Sequence, residues 1–563
     1  MRPSLLLTGV LSAWAVLVCC TPAEVAAAER NASSSDTAGA RNPADLASQV
    51  DESLLAETGA RAEDLAPALG DEGYLRRLSL DLIGVPPSPN QISLFALDPA
   101  PEKRILAAER LLNDPRFGRN WARYWRDVIV YRRSDDRALL SSLKAEEYLT
   151  EALNAGTSWD EIATSVITAT GDVREEGTTA LIMAQMGQAE ETAAEVSRIF
   201  MGIQIHCAQC HDHPTDSWKR RQFHELAAFF PRTAVRPRRD GDKFTFEVVS
   251  VERRFGFMAG GNNRRGSTEH YMPDLEDPAS RGTLIQPKLF ATDQQLGSGR
   301  SDKDRRQTLA NWMTSAENPW FAKAFVNRMW SQLVGTGFYE PVDDMGPERS
   351  CNAPETLELL SREFAASGYN IKQLLLSIVA TDAYQRSSRE RGFGDGAPFA
   401  SNRPQLLRAD QLFDALTGAL GLGEQSMRSL GGRGRGMGMM GMNRYGIGGL
   451  RFQFAQTFGY DPSTPQEELA GAIPQALMLM NSPVVNGLME ANSRFTSLGR
   501  LVAETDDDEE VTVELYLRCL SREPTDNELA TCLEHIRSVG DRREAFEDVL
   551  WALINSTEFL YRR

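Results

Sequence analysis

Apolar residues recur at helical spacing along most of this chain, and that periodicity leaves room for little besides an α-helical fold. LRRLSLDL at 75–82 repeats in this way and stops before Pro86-Pro87, and a second helix is predicted over 101–112. Trp121, Tyr124 and Trp125 stand at i, i+3 and i+4, an aromatic face whose plain reading is core. Val196, Ile199, Phe200 and Ile203 form one stripe, and Cys207 is its next member. A following helix is predicted from Asp216-Ser217 through Trp218, Phe223, Leu226 and Phe230. Helical spacing returns over 304–314, 320–333, 354–367, 371–381 and 408–420, and closes with Phe546, Val549, Leu550, Leu553 and Ile554. Between these stretches Phe244, Phe246 and Val248 alternate with polar neighbours, a strand pattern. The expected fold is therefore mainly α: two helical domains, 46–232 and 301–563, joined by a small β-containing segment, 233–300.

Within that helical setting lies Cys207-Ala208-Gln209-Cys210-His211, the C-x-x-C-H spacing of c-type haem attachment. Two thiols three positions apart reach the two vinyl groups of one porphyrin, and the adjacent imidazole comes beneath the iron. With 7 Cys and 6 His in 563 residues, chance yields on the order of 0.001 occurrences. The favoured reading is covalent haem c on Cys207 and Cys210, with His211 as proximal iron ligand. If the apolar stripe runs on through Cys207, the porphyrin lies against protein. Candidate sixth ligands are His224, on the next predicted helix, then Met258 and Met272; an open sixth position is the other option. His213 is too close to His211 to reach the opposite face. The main alternative is zinc, for which His206, Cys207, Cys210, His211, His213 and His224 supply nitrogen and sulfur donors. A redox pair or structural disulfide at the same cysteines is a third reading.

The N-terminus has the pattern of an export signal. Arg2 precedes an apolar run over 5–18, and Ala26-Ala27-Ala28 offers a small-residue cleavage site. The run is too short for a good membrane span. Cys20 is a candidate lipid anchor, although Cys19 before it departs from the small residue usual there. Residues 1–28 are thus read as a signal peptide and 29–45 as a flexible leader, for a protein of the periplasm or cell envelope. A formal charge of −17 argues against nucleic acid as a partner. Cys519 and Cys532 flank a helix-turn-helix and are candidates for a disulfide in an oxidising compartment, with packed free thiols the plainer reading.

Several motifs together resemble a bacterial secreted, cytochrome-like family built from paired domains of unknown function, numbered fifteen forty-nine and fifteen fifty-three. LRRLSLDLIGVPP (75–87), RFGRNWARYW (116–125), CAQCHDHP (207–214) and AAFF (227–230) carry the first domain. NPWFAKAFVNRMW (318–330), PVDD (341–344), YQRSS (384–388), RADQLFDA (408–415), QALMLMNS (475–482), ELYLRCLSREP (514–524) and WALINSTEFL (551–560) carry the second. The resemblance implies an exported protein, and relatives are frequently encoded beside secreted sulfatase-like proteins, which makes such a protein a candidate partner. It brings no settled activity. The chain departs from the family in its Gly/Met-rich insert, 431–449, and in lacking a separate cytochrome domain, so the C-x-x-C-H is its sole candidate haem site.

Weaker signals have plain structural readings. Asp343-Asp344 could bind a cation, but after Pro341 they more often cap a turn. Asn327 and Arg328 could recognise an anion, though a salt bridge from Arg328 to Asp343 or Asp344 is simpler. TDDDEE (505–510) reads as an acidic helix start, and the cluster Met437, Met439, Met440 and Met442 as a loop rather than a copper site. The expected function is an exported haem-binding protein with a redox or electron-transfer role and an unidentified redox partner. The alternative is a non-redox structural or binding protein of the cell envelope, or an accessory to polysaccharide degradation.

Overall fold

The helix Asp71–Ile83 shows how sequence becomes architecture here. Asp71 and Glu72 stand in its first turn, where carboxylates complement the helix dipole. Gly84 ends it in the left-handed conformation at φ 73°, a position suited to glycine. A Cβ on Gly84 would also meet the Asn120 side-chain oxygen at 2.7 Å, so the helix end can approach its neighbour only without a side chain. Ser88 then opens the helix Pro89–Leu97 with a capping box to Gln91.

The computed structural model describes residues 41–241, 243–251, 268–389, 396–422, 447–469, 473–492 and 496–563. The signal peptide, most of the leader, Met258 and the Met cluster of the insert lie outside them. The first described helix, Pro43–Thr58, begins within the last residues assigned to the leader. The fold is mainly α, with small antiparallel sheets of two or three strands. Among the described residues no helix is long and apolar enough to cross a membrane.

The expected β segment is present. Thr233–Asp240 and Lys243–Ser250 form a hairpin with Val235 opposite Val248, and Gly171–Asp172 adds a short third strand. Phe246 and Val248 are buried while Phe244 is about half exposed, the alternation the sequence shows.

The hydrophobic cores do not divide where the sequence suggested. One core runs from Leu46 to Phe399, so helices on both sides of the β segment share it. Trp125 packs at 5.6 Å on Phe325, Trp159 at 4.6 Å on Phe325, and Phe325 at 5.0 Å on Phe364. Trp121, Tyr124 and Trp125 are all buried, as expected for core. A second core takes residues from Leu407 to Phe559 and includes Leu80 of the Asp71–Ile83 helix. The break between cores therefore falls near residue 400, and Arg41–Arg563 is one compact unit.

Buried polar side chains join the two cores. Arg562 forms a two-pronged ion pair with Asp81, at 2.7 and 2.8 Å, and Tyr384 donates its hydroxyl to the same carboxylate at 2.8 Å. Arg77, fully buried, donates to the carbonyls of Tyr384 and Arg386 and to the Ser388 hydroxyl. Arg76 reaches the Cys519 carbonyl at 3.0 Å. Across the same surface Asn120 donates to the carbonyls of Asp81 and Leu82, while Gln411 donates to that of Leu80. Cutting one partner from a buried pair leaves an uncompensated charge. Asp81→Ala is expected to lower unfolding free energy by about 3–5 kcal/mol in urea titration. Glu147→Gln, which breaks an exposed pair to Lys144, should cost less than about 0.5 kcal/mol.

Candidate functional site

The buried helix Ala189–Met201 delivers the chain to the C-x-x-C-H. Val196, Ile199, Phe200 and Ile203 are buried, as their spacing predicts. The helix does not continue to Cys207, however. Gly202 ends it at φ 67°, and a Cβ there would meet the Met345 sulfur at 2.6 Å. A short 3-10 turn, Ile205–Gln209, follows, with Ile205 and Ala208 buried. The interior position expected for Cys207 belongs to Ala208 instead. Cys207 and Cys210 are exposed and free, so the expectation of thiols on a buried face is corrected. Cys207 lies within this turn and Cys210 is the residue that ends it.

The next helix starts at Arg220, later than predicted. Residues 213–218 form a turn closed by the His213 N–H on the Trp218 carbonyl at 2.8 Å. Asp212 accepts from the Arg220 N–H at 3.0 Å and from the Lys219 ammonium at 3.1 Å. The motif thereby caps the helix that follows it.

Five of the six histidines surround this turn. The exposed His211 has Nδ1 2.6 Å from the Asp212 carbonyl oxygen. A carbonyl only accepts, so Nδ1 carries the proton and the Nε2 lone pair is free. His213 Nδ1 accepts from the Thr215 N–H at 3.4 Å. His206 stands 3.7 Å from Glu191, whose carboxylate raises its pKa. The other two rings are buried. His224 Nε2 lies 3.1 Å from the Gln209 carbonyl oxygen and must donate to it. Its Nδ1 therefore accepts, and His270 Nε2, at 2.9 Å, donates. The rings stack with centroids 5.2 Å apart. Burial pushes both down to about 4; the neighbouring His270 adds to the shift of His224, and Arg305 to that of His270. Both are neutral at pH 7.

This arrangement bears on the other candidate ligands. Both nitrogens of His224 are engaged and its ring is buried, so it presents no free donor as a sixth ligand. Met258 lies outside the described residues, and Met272 is half-buried in the strand His270–Met272. Among the described residues no three His, Cys, Asp or Glu side chains converge as a metal-ligand group. The zinc candidates are instead distributed, His206 to Glu191 and His224 to His270. His270 itself escaped sequence reading: it sits far along the chain in a short strand, and the scarcity of histidine was its only signal. Glu269 beside it is held by Arg232 at 2.9 Å and Arg305 at 2.6 Å.

PVDD completes the surroundings. Asp343 is fully buried, with Gln204 at 2.8 Å and Arg198 at 3.2 Å on its two oxygens, Arg132 at 3.5 Å and Arg328 at 3.8 Å. Burial opposes its charge, but Arg198, Arg328 and Arg132 hold its pKa below the ordinary value. Asp343 is thus a structural anion, and the cation reading gives way to the salt bridge with Arg328. Asn327 spans the carbonyls of Tyr339 and Val342. Asp344 pairs with Arg349 at 3.0 Å, and Arg349 also donates to the Thr215 hydroxyl at 3.0 Å. Gly346 admits the Asp216 carboxylate, whose oxygen would lie 1.9 Å from an added Cβ. Cys351, Cys519 and Cys532 are free, and burial pushes the Cys519 thiol up to about 12. Within TDDDEE, Asp507 caps the helix Asp508–Leu520, the acidic start expected.

Residues 49–235 match the family described as "Protein of unknown function (DUF1549)", and residues 305–434 match "Protein of unknown function (DUF1553)". The C-x-x-C-H and His224 fall in the first match, Asp343 to Arg349 in the second, and His270 between them. No curated protein and no solved structure matches the chain.

The histidine pair predicts a pH response. Each pKa is depressed from 6.5 to about 4, so the unfolded chain binds more protons between those values. The stabilisation is whole above pH 6.5 and is lost as pH falls towards 4, on the order of 3 kcal/mol per ring. Asp51, raised to about 6 by burial, acts with the opposite sign over the lower part of that range. The measurement is therefore a difference. His270→Gln keeps a donor for His224 but removes one titrating ring. Its unfolding free energy should vary less steeply than the parent's between pH 6.5 and 4.5, by up to about 1.4 kcal/mol per pH unit.

Proposed function

This chain belongs to the family that joins DUF1549 to DUF1553, and we propose that it is an exported c-type haem protein with a redox or electron-transfer role. Cys207 and Cys210 would form the thioethers, and His211 would be the proximal iron ligand. One observation carries the reading: His211 gives its Nδ1 proton to the Asp212 carbonyl and leaves Nε2 free, beside two exposed free thiols. Imidazoles that bind metals are ordinarily fixed in this way, by a carbonyl or carboxylate on the other nitrogen. The donor set therefore fits the group. When bound, haem supplies one-electron chemistry.

The chain's own residues have separate tasks. Ile205 and Ala208 anchor the turn in the core, the Asp212 carbonyl orients His211, and exposure gives the attachment machinery access to both thiols. An exposed attachment point also suits electron exchange with a second protein, and a formal charge of −17 favours a basic partner. With His224 committed elsewhere, Met258, Met272 or a small ligand would be the remaining candidates for a further iron ligand.

Protein exported by a host equipped for c-type maturation should give a pyridine haemochrome spectrum and a mass increase of one haem. Replacing Cys207 and Cys210 by Ser should abolish both. His211→Ala should keep the covalent mass while altering the Soret and visible bands. Colourless protein from the same host, carrying about one zinc or a Cys207–Cys210 disulfide, would overturn the proposal in favour of a non-redox envelope protein.

A further inference from the structure

We infer that His224 and His270 are positioning residues: a buried two-ring relay that fixes the Gln209 peptide, and through it Cys210 and His211, in the geometry used for attachment. The inference rests on the proposed haem reading for its purpose, but not for its geometry. Gln209 is the second of the two residues between the cysteines, so its carbonyl sets the plane of the peptide leading to Cys210. That oxygen accepts from His224 Nε2 on the buried side at 3.1 Å and from Arg220 Nε at 3.3 Å. Arg220 also donates to the Pro273 carbonyl at 2.6 Å, and its N–H to Asp212 at 3.0 Å. The strand His270–Met272 and the Pro273 that follows it thus hold the turn twice, once through His270 and once through the Pro273 carbonyl.

The chemistry of the pair fixes its direction. Because the carbonyl accepts, His224 donates from Nε2; because its Nδ1 must then accept, His270 donates from Nε2. One arrangement of protons satisfies three of the four ring nitrogens. The fourth, His270 Nδ1, faces Glu190 at 3.8 Å, beyond hydrogen-bond reach. Two buried imidazoles cost desolvation that an apolar pair of the same volume would not. What an apolar pair could not supply is a donor aimed at the Gln209 oxygen. His270 is held for this task by the neighbouring Glu269, which pairs with Arg232 and Arg305.

The test uses the mature full chain, without haem and with it. In the haem-free protein, His224→Phe removes the donor and leaves the partly buried Gln209 carbonyl with Arg220 alone. Amide hydrogen exchange over residues 207–212 should quicken about tenfold, the equivalent of ~1.4 kcal/mol. Exchange in the helix Pro319–Val334 should stay as in the parent. His224→Gln, which can restore a donor near the Nε2 position, should bring the turn back towards parental rates. His270→Leu, which removes the donor to His224, should fall between parent and His224→Phe, and His270→Gln, which keeps one, should stay near the parent. On haem-loaded protein, His224→Phe should shift the axial-ligand bands and the midpoint potential, and His224→Gln should move them back. If exchange in the turn is the same in His224→Phe as in the parent, or quickens equally across the whole chain, the inference falls. Should His224→Phe not fold, unchanged exchange over 207–212 in His270→Leu, which removes the donor to His224 Nδ1, would overturn it instead. If the turn responds as expected but no haem is ever attached, the relay stands and the haem proposal alone is lost.

Discussion

The carboxylate of Asp81 has to be neutralised away from water, and much of the architecture follows from how that is done. Its partner, Arg562, comes from the far end of the described chain and adds the Asn402 side chain and the Leu333 carbonyl as further acceptors. Tyr384 completes the set. These groups come from five separate positions in the sequence, and removing one strands its partners in a low-dielectric interior. The neighbouring Arg77 and Arg76 extend the same constraint to the carbonyls of residues 384, 386 and 519. The Asp71–Ile83 helix is thus the part against which both cores are set.

That closure has a consequence for the exposed turn. The CHDHPTDSW stretch is braced by PVDDMGPER: Arg349 bridges Asp344 and Thr215, Gly346 admits Asp216, and the Met345 N–H bonds to the Gly202 carbonyl at 2.8 Å. Trp218 packs on Trp320 and Phe290. The two matched domains are therefore not a site-bearing module and an appendage. The second supplies the floor on which the first displays its cysteines, which gives a physical reason for both to be carried in one chain.

Helix type and most of the interior were legible because periodicity survives any tertiary arrangement. Trp121, Tyr124, Trp125, Val196, Ile199 and Phe200 went where their spacing sent them. The alternation at Phe244, Phe246 and Val248 likewise marked the hairpin. The environment of the site was less legible. Extending the stripe from Ile203 to Cys207 assumed an unbroken helix, and Gly202 breaks it because Met345, 143 positions later, needs the space. Asp216-Ser217 looked like a helix start, but the capping carboxylate is Asp212, which reaches ahead to Arg220. His270 joins His224 across 46 positions, through a strand too short to announce itself. The misses at Gly202 and His270 share an origin, a contact between segments distant in sequence that overrode a local pattern, while the one at Asp216-Ser217 is a choice between two nearby carboxylates.

The placement of the motif residues separates structure from chemistry. Arg76, Arg77 and Asp81 of LRRLSLDLIG, Asn120 of RFGRNWARYW, Asn327 and Arg328 of NPWFAKAFVNRMW, Asp343 of PVDD, Tyr384 of YQRSS and Gln411 of RADQLFDA are all buried. Most of their polar atoms are spent on buried side chains or backbone carbonyls, as in the pairs of Asp81 with Arg562 and Asp343 with Arg198. CAQCH is different. Its buried members, Ile205 before it and Ala208 within it, are apolar anchors. Its reactive members, Cys207, Cys210 and His211, are exposed, with two thiols unbonded and one imidazole nitrogen free. These three differ from the buried polar residues named above in being open to solvent on a turn whose apolar members are anchored in the core.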